Sequence, residues 1–225
     1  MHKTFWDDPY QKTLKTHVLS VLGNKVLLKE TIAFSFSGGQ ESDNATLNGL
    51  PITGSEIDGF LIYYTFQEGH NFSPGDEVLL ELNWPRRYRL MRLHFAAELV
   101  LELVTRKLNL EKIGAHIAED KARIDFIFDQ NIFLFFEEIL SEYNAIIEKD
   151  MPIKTGFSDI KNQRRFWEIE GFSKVPCGGT HVKSTGEVGF ITLRRKNIGQ
   201  SKERIEIKLI DENTHTKHKD SPKQA

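Results

Sequence analysis

The only cysteine of this 225-residue chain, Cys177, stands four residues before His181 in the run Val175-Pro176-Cys177-Gly178-Gly179-Thr180-His181. A thiolate and an imidazole carried on a glycine turn are side chains that zinc binds well. Far upstream, His94 and Glu98 also lie four apart, within Met91-Arg92-Leu93-His94-Phe95-Ala96-Ala97-Glu98-Leu99-Val100. That spacing puts both on one face of a helix. Together His94, Glu98, Cys177 and His181 supply the four ligands of a tetrahedral zinc site. Each half also has a plainer reading. A His and a Glu four apart are often a hydrogen-bonded couple, and a lone cysteine is often a small buried hydrophobe.

The two segments can meet only if the elements between them fold back on one another. A helix is expected over residues 87–108, with apolar residues almost all round it, so it reads as a central, covered element on which His94 and Glu98 stand out. Before it, residues 14–22, the turn pair Gly23-Asn24 and residues 26–28 read as a hairpin. Residues 61–66 read as a strand, and Val78, Leu80, Leu82 and Trp84 alternate as on another, before Trp84-Pro85 breaks the pattern. After the helix, Ile124, Phe126 and Phe128 alternate and residues 132–147 repeat at helical spacing; residues 166–169, 188–193 and 204–210 read as further strands. The expected fold class is α+β. It comprises a small, barrel-like N-terminal β domain over 1–84, then an α+β domain over 85–211 whose antiparallel sheet packs with helices and carries the metal site. Residues 212–225, almost without apolar side chains, are expected to be a disordered tail in which His215 and His218 are solvated.

Composition narrows the setting. With 39% hydrophobic and 28% charged residues the chain can bury one sizeable core or two modest ones. It has no apolar run near the ~20 residues that span a bilayer, and its first residues lack the basic-then-apolar order of a secretory signal. A single cysteine allows no internal disulfide, which suits a reducing cytoplasm. Residues 151–225 carry 15 Lys and Arg against 9 Asp and Glu, and the rest of the chain 15 against 23, so a net charge of −2 conceals a basic C-terminal part. Lys183, Arg194, Arg195, Lys196, Lys202 and Arg204 are candidates for meeting phosphate; an ordinary solvated surface explains the charge equally well.

Residues 177–182, Cys-Gly-Gly-Thr-His-Val, followed by Thr-Gly-Glu-Val-Gly at 185–189, resemble the signature of alanyl-tRNA editing domains. The resemblance extends through Trp6-Asp7-Asp8-Pro9-Tyr10, Ser37-Gly38-Gly39-Gln40 with Asp43, residues 87–94, residues 114–126 and residues 203–207. It covers roughly residues 5–210. The likeness is to the freestanding AlaX type in its medium-length form, related to the editing domains of alanyl- and threonyl-tRNA synthetases. It implies a cytoplasmic, zinc-dependent hydrolase acting on the 3′ end of a tRNA, and neither a DNA nor a membrane partner. The substrate implied is alanine tRNA wrongly charged with serine, sometimes glycine. A synthetase pocket built for alanine rejects serine, which only adds a hydroxyl, by ~100-fold, so a second site must clear the errors.

The metal ligands implied by the resemblance are His94, Cys177 and His181. The family's second helix histidine is replaced here by Glu98. Three readings of Glu98 stand: a fourth ligand, favoured because its Cβ should sit where the family's ligand does; a general base beside an open three-ligand site; or a neighbour of a site that holds no metal. The loop with Gly38, Gly39 and Gln40 is implied to reach over the pocket as a substrate contact, although a plain hairpin would also use those glycines. Thr180 either hydrogen-bonds beside the metal as part of the catalytic set or shapes the turn. His116 either lines the pocket or sits at a surface or core edge. Two other functions remain: a tRNA 3′-end binding module without metal or chemistry, and a deacylase for a different aminoacyl-tRNA. A metalloprotease does not fit, because the helix lacks the His-Glu-x-x-His order.

Overall fold

The computed structural model describes residues 1–210, so the tail expected over 212–225, with His215 and His218, lies outside the described residues. The first region is strand and turn: β1 (His2–Lys3), β2 (Thr13–Leu22), β3 (Lys25–Leu28), β4 (Glu30–Thr31), β5 (Ala45–Leu47), β6 (Leu50–Pro51), β7 (Gly54–Asp58), β8 (Leu61–Thr65) and β9 (Glu77–Leu82). Helix α1 (Trp84–Leu108) follows, then β10 (Lys112–Ile117), β11 (Ala122–Ile127), α2 (Phe136–Glu148), β12 (Lys154–Asp159), β13 (Arg164–Ile169), β14 (Ser173–Pro176), the single turn α3 (Thr185–Val188), β15 (Ile191–Gly199) and β16 (Lys202–Leu209). The sheets are mostly antiparallel, and the fold class is α+β.

Strand β2 joins two ladders. Thr13 to His17 pair with β9; from Val18 on, with an irregularity between Val18 and Ser20, the strand pairs with β3. One strand serving two directions bends the sheet β6-β5-β9-β2-β3-β8-β7 into a curled, open half-barrel. The turn at Gly23-Asn24 forms as expected, with Gly23 at φ 61°, where a side chain would be strained. A second sheet, β10-β11-β16-β15, lays Ile124, Phe126, Ile205 and Ile207 against α1, and the hairpins β12-β13-β14 make a third. No helix among the described residues is long and apolar enough to cross a membrane.

Two expected boundaries move. Trp84 does not extend the alternation of Val78, Leu80 and Leu82, because Asn83 caps α1 by accepting from Arg86 N at 3.2 Å while Pro85 occupies the first turn. Val188 closes α3 instead of opening a strand; Gly189 (φ 79°) reverses the chain, and the strand starts at Ile191.

The start of α1 is tied to the first region through Arg87, which is fully buried. Its Nε donates to Asp43 Oδ1 at 2.8 Å, its Nη2 to the Ile32 carbonyl at 2.5 Å and its Nη1 to the Pro9 carbonyl at 3.1 Å. Asp43 also accepts from Phe34 N at 2.6 Å. Removing one member of a buried ion pair strands the other's charge. Arg87→Met is therefore expected to lower the unfolding free energy by about 3–5 kcal/mol in urea denaturation; a loss within error would show that Asp43 finds water instead.

Candidate metal centre

Helix α1 is covered on all sides: Leu90, Met91, Leu93, Phe95, Ala96, Leu99 and Val100 are fully buried. His94 is thereby held inside, 3% exposed. From the other side β14 ends at Pro176, and Cys177 N continues the hairpin by donating to the Arg165 carbonyl at 2.9 Å. The turn is fixed by Trp6, whose Nε1 donates to the Gly178 carbonyl at 2.8 Å. The ligand atoms of His94, Cys177 and His181 then all lie within 4.8 Å of one another. Cys177 Sγ is 3.4 Å from His94 Nε2, and the two histidine rings stack with centroids 5.0 Å apart. A Cβ at position 179 would fall 1.9 Å from His94 Cε1, so this approach of turn to helix requires glycine.

Glu98 is not within that mutual reach. Its Oε1 lies 3.5 Å from His94 Nε2, and its Oε2 accepts from Trp167 Nε1 at 2.9 Å. One oxygen is thus anchored on β13 while the other faces the three-residue group.

The donor set suits a divalent metal. His94 turns Nε2 toward Cys177 and Glu98, and His181 Nε2 is buried without a hydrogen-bond partner, a costly state for an imidazole nitrogen that has no other task. Two imidazoles and a sulfur match the preferences of zinc. Burial opposes a charge on His94, but Cys177 and Glu98 outweigh it and raise its pKa to about 10. Burial, aided by the His94 charge, pushes His181 down to about 3. Burial would raise Glu98, yet His94 and Trp167 hold it down at about 2. Cys177 and Glu98 thus flank His94, a donor set for which a proton and a divalent metal would compete.

A cavity of about 200 Å³ opens on this group, lined by Ser37, Gly38, Glu98, Lys112, Cys177 and Gly179 among others. Gly38 is on its wall. Gly39 is behind it: a Cβ there would meet the Ala115 carbonyl at 2.7 Å, and the Gly39 carbonyl accepts from Ile117 N at 2.7 Å, clamping the loop to β10. Gln40 is fully buried, with Nε2 donating to Thr180 Oγ1 at 2.9 Å and Oε1 accepting from Thr180 N at 3.2 Å. The Gln40 amide thus braces the turn that carries His181, with the Thr180 hydroxyl accepting from it. His116 does not line this cavity; its Nε2 lies 3.1 Å from Glu41 Oε1, beside Phe36. Lys112, Trp167 and Trp6 were not among the expected site residues; Trp6 lies in a run that carries the resemblance, but nothing in its spacing ties it to the turn at Gly178, and Lys112 and Trp167 belong to no such run. A larger cavity of about 540 Å³, beside Phe66, His70 and Phe72, holds none of the candidate residues.

Residues 165–206 match the threonyl and alanyl tRNA synthetase second additional domain. The chain is 34% identical to an alanyl-tRNA editing protein AlaX-M of Pyrococcus horikoshii, over 92% of this chain and 97% of that one. It is 30% identical to another AlaX-M of Methanosarcina barkeri, over 91% and 97%. It is also 29% identical to an alanine-tRNA ligase of Methanococcus maripaludis, over 90% of this chain but 25% of the ligase.

Proposed function

Since the chain belongs to the family of AlaX-M alanyl-tRNA editing proteins, we propose that it is a trans-acting deacylase that hydrolyses the ester of serine, and of glycine, on alanine tRNA, at a zinc centre held by His94, Cys177 and His181. The observation that carries this reading is the convergence of three donor side chains from segments 83 residues apart. Zinc bound there supplies Lewis-acid polarisation of the ester carbonyl. The protein's own part is positional. Glu98, with one oxygen fixed by Trp167, takes the proton of the water that attacks the carbonyl carbon, and the bond to the ribose oxygen breaks, that oxygen leaving with a proton. Gln40 and Thr180 hold the turn, Gly38 gives the aminoacyl group room, and Lys112 offers a cation at the wall.

We read residues 1–84 as a barrel-like N-terminal domain and 85–211 as the editing domain, a division supported by two separate apolar clusters, one on each side of Asn83. Translation substrates make the cytoplasm its compartment. The test charges alanine tRNA with serine, glycine or alanine and follows ester loss with the purified protein. Seryl ester loss at least tenfold faster than alanyl is expected, the preference a site gains by pairing buried polar groups with the hydroxyl. Loss of all three esters at the uncatalysed rate, with tRNA still bound, would establish a binding module instead.

A further inference from the structure

The sheet β10-β11-β16-β15 has two unlike faces. One is the apolar face on α1. On the other, Arg123 stands opposite Glu206, itself opposite Arg194, and Asp125 stands opposite Arg204, itself opposite Lys196; Lys202 and Lys208 follow on the same side of β16. Opposed residues of antiparallel strands point to the same side, so these form one charged surface. Its two carboxylates lie low, Asp125 at 7% and Glu206 at 5% exposure, beneath the cations they orient. Asp125 accepts from Arg204 Nε at 2.6 Å and Nη2 at 2.9 Å, and from Arg123. Glu206 accepts from Lys121 Nζ at 3.0 Å and lies 3.6 Å from Lys196. Arg194, Lys202 and Lys208 are exposed and have no carboxylate partner among the described residues. Arg195, by contrast, belongs to the opposite face and is bound to Glu203.

We propose that this face binds the phosphate backbone of an RNA duplex, the stem of the tRNA whose unpaired 3′ end reaches the metal cavity; the inference rests on the deacylase reading above. Cations outnumber carboxylates on the surface, and Arg123 and Arg204 are pre-oriented by Asp125, which favours repeated anions. No aromatic side chain rises from its middle, so it reads backbone, not bases. The platform for bases lies at its edge. There Phe36, 55% exposed, leans on His116 of β10 with ring centroids 6.3 Å apart, and the next two residues, Ser37 and Gly38, line the metal cavity. Phosphates on the sheet, an unpaired base on Phe36 and the ester in the cavity thus follow one path.

Fluorescence anisotropy with uncharged alanine tRNA and with a blunt RNA duplex, across a salt series, separates the parts without requiring hydrolysis. Arg194→Glu/Lys202→Glu/Lys208→Glu should weaken both ligands at least tenfold and flatten the log–log salt dependence by about 2 to 3, since each phosphate contact contributes roughly 0.7–0.9 to that slope. The corresponding triple alanine variant should move the same way by less. Phe36→Ala should weaken tRNA by about fivefold or more through lost stacking and leave the blunt duplex unchanged. Lys15→Glu/Lys29→Glu, exposed in the first region on β2 and just after β3, should change neither. An unaltered salt slope in both triple variants, an equal loss in the Lys15/Lys29 control, or binding of phosphatidylserine vesicles in place of RNA would overturn the proposal. Any of these results alongside intact hydrolysis of the seryl ester would sink the surface and leave the deacylase standing.

Discussion

Gly179→Ala is expected to remove zinc and hydrolysis together, as completely as Cys177→Ala, although it deletes no ligand. A methyl group at 179 would lie 1.9 Å from His94 Cε1, 2.4 Å from His94 Nδ1 and 2.8 Å from Gln40 Oε1. None of these can yield cheaply. His94 is packed inside α1, and Gln40 is fully buried with both ends of its amide engaged by Thr180. Relief requires the turn to lift away from the helix, which separates Cys177 and His181 from His94 and costs about 1–3 kcal/mol of overpacking besides. Gly178 is the control. A Cβ there meets nothing within 4 Å, so Gly178→Ala should keep its metal. Metal analysis of both variants, purified without chelator, reads the difference. Stoichiometric zinc in Gly179→Ala would mean that the turn is softer than its contacts suggest.

The same contrast explains what could be read from the chain and what could not. His94, Cys177 and His181 were visible because each pair is a local pattern, a helical i,i+4 step or a turn with two glycines, and a local pattern survives without knowledge of the fold. Helix α1 was visible for a similar reason, its apolar residues running all round. Trp167 was not. It lies on β13, where alternation marks it only as core, and its partner Glu98 is 69 residues away. Gln40 was singled out through the resemblance, as a substrate contact, but its engagement of Thr180 spans 140 residues and depends on the half-barrel sitting over β10. Strands β12 and β14, polar and broken by Gly156 and Pro176, carry too little alternation to be read, yet β14 delivers Cys177. Residues that form the group were legible; residues that hold it in place were not, because their partners are set by tertiary contacts alone.

Glu98 decides whether this centre differs in chemistry or only in composition from its relatives. The carboxylate has one oxygen taken by Trp167 and the other near His94, outside the mutual reach of the three-residue group. Glu98→Gln keeps the size and an oxygen for Trp167 but cannot take a proton. If Glu98 is the base, that variant should retain stoichiometric zinc and lose about 100- to 10,000-fold in kcat, with KM little changed. Glu98→Ala should behave likewise. Glu98→His should also hold zinc, and its kcat should stay low. Trp167→Phe keeps the ring against Phe95 and removes only the donor, so a smaller fall in kcat with unchanged metal is expected, the mark of a positioning residue. The competing role gives the reverse pattern. A ligand Glu98 would show itself by zinc lost in Glu98→Ala, with zinc and hydrolysis both restored in Glu98→His, since imidazole at that position would then complete the tetrahedron that three side chains leave open.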